Sequence, residues 1–274
     1  MTSTSKTLWA LGLLMSAGAA ITLNLSSTPP RQIANLPETV DIPSGSYSYR
    51  IAGQFRIGTH IVDAPVQQRT ADKSLTIMKY PVSQTDYAAC VTAGACEITD
   101  VLVGTNMPQT GISFHDAMSF AAWLSKATQQ HWRLPTDEEW TRAAGDRFHD
   151  DALGDLDDAD DPAQRWIKNY RAQAITRGDS EPELRSRGCY GVNNLGIADI
   201  SGNIWEWTDT CYTSGRLTKN GQSILTSSEY CGVRAAQGKH RAYIIEFVRD
   251  AKVGGCAVGI PPDYLGFRLV LDNS

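Results

Sequence analysis

Asp199-Ile-Ser-Gly-Asn-Ile-Trp-Glu-Trp-Thr208 packs two acids, a Gly-Asn pair and two tryptophans into ten residues. Gly202 and Asn203 are residue types that tolerate left-handed backbone angles, so a sharp turn is expected there. Such a turn aims successive carbonyl oxygens inward, with the carboxylates of Asp199 and Glu206 on either side. Hard oxygen donors around an irregular turn suit calcium. The alternative is a turn capped by its own side chains, with the tryptophans in the core. Spacing alone favours the capped turn.

Upstream of this stretch the local signals are stronger. Ser83 with Asp86, Ser113 with Asp116, and Thr136 with Glu139 each form a capping box, a hydroxyl followed three residues on by an acid that reaches back. They open expected helices ending near Gly94, Thr128 and Gly145. In the second, Ala117, Phe120, Ala121 and Leu124 recur at helical spacing and give a buried stripe. Before these helices, residues 45–51 and 74–80 read as strands between turns. Residues 146–165 are crowded with aspartates and lack the spacing of an EF-hand, so a solvated acidic loop is expected. Residues 166–274 hold scattered glycines and short apolar runs, and read as irregular structure with some strands. No repeat is visible. The whole is α+β with much coil.

The 274 residues carry a formal charge of −5, which excludes the basic face that nucleic acid requires. Lys6 precedes an apolar run from Leu8 to Leu23 with a small-residue segment near its end. Residues 1–23 therefore read as an export signal or an uncleaved N-terminal membrane anchor through residues 7–23, and 24–38 as a proline-containing linker to a domain spanning 39–274. Either way the folded part is expected outside the cytoplasm, in the periplasm or exported. Six cysteines, at 90, 96, 189, 211, 231 and 256, fit that compartment as disulfide formers. Cys90 and Cys96 are close enough to bridge across the Gly94 turn. The other four allow three pairings.

Four ordered motifs carry a resemblance. Gly111-Ile-Ser-Phe-His-Asp-Ala117, Trp132-Arg-Leu-Pro-Thr-Asp-Glu-Glu-Trp140, Asn194 through Trp207, and Leu265-Gly-Phe-Arg268 are similar to the sulfatase-modifying-factor, or formylglycine-generating-enzyme, domain. Pro81-Val-Ser-Gln-Thr-Asp-Tyr87 resembles an early segment of the same family. The resemblance implies a single compact α+β domain, a variant of the C-type lectin fold with much irregular structure. It also implies a structural calcium site at the tryptophan turn, with side chains from Asp199 and Glu206 and carbonyls from Gly202 and Ile204. A second calcium site would use Asn169 and Asp179.

Enzymes of this family resemble the chain in scaffold but use two cysteines, five residues apart, to bind copper(I) and oxidise a substrate cysteine. Thiolates suit that soft ion. Counting back from Gly266 puts His240 and Ile245 at those positions, so chemistry by that route is not expected. Trp205 matches a tryptophan near the family's active site. Cys231, His240 and Cys256 flank the corresponding groove and form a candidate catalytic set able to hold copper or iron; the alternative is a disulfide among Cys211, Cys231 and Cys256. Arg234, Arg241 and Arg249 either line a groove for an anionic or peptide substrate or pair with acids such as Glu246. The chain is most similar to the exported, single-domain branch that includes pyoverdine-maturation and nitrite-reductase accessory proteins. Two functions follow as expectations: an oxidoreductase or maturation factor acting on a peptide or peptide-derived substrate, or a non-catalytic module that binds a partner protein.

Overall fold

The structure, a computed structural model, describes Met1 and residues 36–99, 104, 106–150, 183–249 and 264–272. The export segment, most of the acidic loop, Asn169, Asp179 and Cys256 lie outside the described residues. No described helix is long and apolar enough to cross a membrane.

The three helices begin where the capping boxes stand: α1 (Gln84–Thr92), α2 (Phe114–Thr128) and α3 (Asp137–Ala144). In each, the cap hydroxyl accepts an N–H from the third helical residue, whose carboxylate accepts the cap's own N–H. Donors that a helix start leaves without intrahelical partners are satisfied reciprocally. Beyond α1 the chain turns at Gly94, φ 70°, and Cys90 and Cys96 are bridged across that turn. The α2 stripe is buried as its spacing implies, with Phe120 edge-on to Phe267 at 5.4 Å between ring centroids.

A four-stranded antiparallel sheet has the order β1 (Thr39–Ile42), β6 (Leu75–Met78), β12 (Val270–Asp272) and β7 (His131–Arg133). A small ribbon pairs β2 (Gly45–Tyr49) with β5 (Gln67–Ala71). The largest sheet runs β10 (Arg241–Ile245), β9 (Ile224–Gln237), β8 (Trp205–Leu217), β3 (Gly53–Ile57) and β4 (His60–Val62). The short β11 (Leu265–Gly266) lies parallel to the start of β8. The main core gathers Tyr87, Phe114, Phe120, Leu124, Trp132, Trp205, Trp207, Phe267 and Leu269. A neighbouring cluster holds Ile77, Trp140, Ile197, Ile200 and Val270.

The carboxy-terminal third holds the expected strands among irregular segments, but two of them are much longer than its short apolar runs suggest: β8 and β9, of 13 and 14 residues, paired antiparallel. Residues 225–232 of β9 are exposed throughout, so they lack the apolar alternation by which half-buried strands are recognised.

At α3, burial pushes the Glu139 carboxyl up, but two hydrogen bonds from Arg133 at 2.7 Å and those from Thr136 more than offset this and hold it below its ordinary value. A group depressed on folding stabilises the fold above its unfolded pKa and loses that contribution as pH falls through the folded value. Denaturation midpoints from pH 7 to pH 3 will therefore fall less steeply below about pH 4 in Glu139→Gln than in the parent. Thr136→Ala will cost about 1 kcal/mol at neutral pH. Identical pH profiles for parent and Glu139→Gln would refute the assignment.

Candidate functional site

The tryptophan turn is left-handed at three alternate residues, Asp199 (φ 59°), Ser201 (φ 60°) and Asn203 (φ 56°). Of the two residues expected to be left-handed, Asn203 is and Gly202 is not. Its missing side chain has a packing reason, since a Cβ there would sit 3.0 Å from the Tyr190 ring. Side chains hold the strained backbone. Asp199 accepts N–H groups from Gly188 at 2.5 Å and Tyr190 at 2.8 Å. Asn203 accepts the Arg185 N–H at 3.0 Å and donates to its carbonyl at 2.8 Å.

From the turn the chain runs directly into β8. Glu206, 1 % exposed, meets the 0 % exposed Arg268 in a bidentate pair at 2.6 and 2.7 Å. Trp140 Nε1 donates to the same carboxylate at 3.0 Å. Arg268 also donates to the carbonyls of Met78, Lys79 and Ala198. Burying either charge costs several kcal/mol, and these partners offset it by leaving few polar atoms unpaired.

Whether calcium fits the turn rests on these bonds. Both Asp199 oxygens already accept backbone donors, and the Gly202 carbonyl accepts the Ile204 N–H at 2.6 Å. Glu206 Oε1 has a single donor, Arg268. Ser201 Oγ is buried with no hydrogen-bond partner, and three consecutive left-handed alternations are strain of the kind found around bound ligands. Of the turn's side-chain oxygens, Ser201 Oγ is thus the one left without a partner, while Asp199 is engaged by backbone donors and Glu206 by Arg268 and Trp140.

Trp205 and Trp207 are both buried. Trp207 donates to the Ile112 carbonyl at 2.6 Å, and Trp205 to the His240 carbonyl at 3.0 Å. Gly238 lies against the Trp205 indole, where a Cβ would approach to 2.6 Å. His240 precedes β10 with its ring 5.3 Å from that of Trp205, edge to face. Its Nδ1 is 3.0 Å from the Arg241 carbonyl. A carbonyl only accepts, so Nδ1 carries a proton and the neutral ring keeps its lone pair on Nε2. The structure thus brings Trp205 and His240 together, with Ile245 closing β10.

Cys231 does not join them as a thiolate, because it is bridged to Cys211. Glu229 lies within 4.8 Å of both sulfurs, but neither sulfur is free to bind a metal. Cys189 is a free, exposed thiol. The three arginines expected near the groove are all paired with acids. Arg234 meets Asp209 at 3.0 Å and lies 4.1 Å over the Phe114 ring. Arg249 bonds Asp116 and Glu97, each at 2.7 Å. Arg241 bonds the fully buried Asp137 at 2.9 Å, which Gln237 and Tyr49 also reach at 2.7 and 2.9 Å. Burial and the Asp137 charge push the Tyr49 hydroxyl well up. Sequence reasoning missed the roles of Arg268 and Asp137. The arginine's place inside the apolar run Leu265 to Leu271 was the available signal.

An α+β domain with a tryptophan turn braced by a buried Glu–Arg pair and faced by the Trp205–His240 contact defines a formylglycine-generating-enzyme-type fold. The sulfatase-modifying factor enzyme 1-like domain family matches residues 25–273, and the chain belongs to that family. It is similar to the bovine inactive C-alpha-formylglycine-generating enzyme 2, 26% identical over 170 residues, covering 59% of this chain and 49% of that protein. It is also similar to the formylglycine-generating enzyme of Mycobacterium tuberculosis, 28% identical over 116 residues, covering 41% of this chain and 36% of that one. The chain thus spans about half the length, or less, of these relatives. Among solved structures, PvdO from Pseudomonas aeruginosa shares the fold, with a TM-score of 0.53 at 18% identity over 86% of this chain and 94% of that one.

Glu206→Gln leaves Arg268 buried without a counter-charge, and will cost about 3–5 kcal/mol in urea denaturation. A loss below about 1 kcal/mol would show that the pair does not brace the fold.

Proposed function

We propose that this chain is an exported maturation factor that binds a peptide or protein partner around Trp205 and His240, without oxidising it through a copper–thiolate pair. One observation carries the reading: the positions that the family resemblance gives to the copper-binding cysteines hold His240, packed on Trp205, and Ile245. The nearby Cys231 sulfur is consumed by its bridge to Cys211. A relative described as inactive is consistent with such a role. Export is supported by the amino-terminal apolar run and two disulfides. The second reading, an oxidoreductase using copper or iron, is favoured by the Nε2 lone pair of His240, with Cys256 as its partner ligand. When bound, such a metal would supply one-electron and oxygen chemistry; the chain's own part is the Trp205 contact that orients the imidazole.

The test is to load the purified full chain with copper(I) and incubate it in air with a cysteine-containing peptide. Mass spectrometry is expected to find the peptide cysteine unaltered. Conversion that is lost in both His240→Ala and Cys256→Ser would overturn the reading in favour of the oxidoreductase. We further propose calcium at the tryptophan turn. Its addition after chelation should raise the melting midpoint, and Ser201→Ala should reduce that gain; an unchanged midpoint would remove calcium from the account.

A further inference from the structure

On the distal half of the β8–β9 hairpin, three strands present one polar face. The register aligns Arg56 on β3 with Arg216 on β8 and Thr226 on β9, and aligns Gln54 with Ser214 and Ser228. Cross-strand partners project to the same face. The opposite face carries Phe55 and Leu217, both buried. A groove of about 390 Å³ opens on the polar side, lined by Arg56, Ser214, Arg216, Thr226, Ser228 and Tyr230. Gly215 lets β8 pack closely on that buried face, because a Cβ there would lie 2.6 Å from the Phe55 ring and 2.7 Å from the Thr226 carbonyl.

Two guanidiniums directly across a strand pair repel each other. Among the described residues neither Arg56 nor Arg216 has a hydrogen-bond or ion-pair partner. Every other described arginine has one: Arg50, Arg69, Arg133, Arg185, Arg187, Arg234, Arg241, Arg249 and Arg268 pair with acids, while Arg142 and Arg147 donate to carbonyls. In a chain of net charge −5, unpaired arginines therefore occur side by side, at the rim of a groove lined with hydroxyls.

We propose that this groove binds an oxyanion, a phosphate or sulfate, either free or as an ester of a polyhydroxylated molecule. Guanidinium forks match the tetrahedral oxygens of such groups, with two hydrogen bonds from each fork. Two positive charges balance a dianion and favour it over a monocarboxylate. The hydroxyls of Ser214, Thr226 and Ser228 supply neutral donors and acceptors around it. The half-exposed Tyr230 ring offers an apolar face to the ester's carrier. The site is separate from the Trp205–His240 region and does not depend on the function proposed for it.

Calorimetric titration of the full chain at constant ionic strength tests this, using inorganic phosphate, inorganic sulfate, glucose 6-phosphate, acetate and glucose as probes. Saturable binding of one or more phosphate or sulfate probes is expected, with acetate at least tenfold weaker and glucose silent. Arg56→Gln and Arg216→Gln should each weaken binding at least tenfold, while the control Arg142→Gln leaves it unchanged. Tighter binding of glucose 6-phosphate than of phosphate assigns an ester as the ligand, and equal binding assigns the free anion. In anion-free buffer Arg216→Gln should raise the melting midpoint by relieving repulsion. Unsaturable heats, equal loss in Arg142→Gln, or a lowered midpoint in Arg216→Gln would overturn the proposal.

Discussion

The contact between Glu206 and Arg268 joins more of this molecule than any other pair of side chains described. It ties the first residues of β8 to the segment between β11 and β12. Through Trp140 it reaches α3, and through the carbonyls of Met78, Lys79 and Ala198 it reaches the end of β6 and the entry to the tryptophan turn. A buried guanidinium has five donors in a fixed plane, so it sets directions as well as attraction. Apolar residues of similar volume would fill the same space without specifying which backbone segments meet there. A buried pair is weak evidence for net stability; here its consequence is geometry, because the turn and the start of β8 are placed by it.

The Trp205–His240 contact inherits that placement. Trp205 adjoins Glu206 in sequence, and its indole reaches across to the His240 carbonyl and the face of Gly238. Asp137 supports the same region from below by holding Arg241, the residue after His240. The imidazole is thus gripped from both sides by groups that are themselves buried and hydrogen-bonded.

What could be read from the sequence follows the range of the interactions. The three helices were legible because a capping box is complete within four residues, and the α2 stripe because its period is local. The Cys90–Cys96 bridge was legible for the same reason. The left-handed bend at Asn203 was visible, but the reason for Gly202 was not, since it depends on the Tyr190 ring brought in by another loop. The Cys211–Cys231 bridge needed the pairing of β8 with β9, and the length of those strands was hidden by their polar, exposed distal half. Arg268 lies 62 residues from Glu206 in the chain, and no local pattern announces a partner at that distance.

The position of β12 has a consequence for how the domain comes into being. It is the last described strand to be synthesised, yet it lies between β6 and β7, bonded to both. The four-stranded sheet therefore cannot close while a nascent chain still lacks residues 270–272, and the long-range contacts of Arg268 form at the same late moment. Loop closure over such separations slows folding. A polypeptide built this way gains the central strand of this sheet only once residues 270–272 are available to slot between β6 and β7.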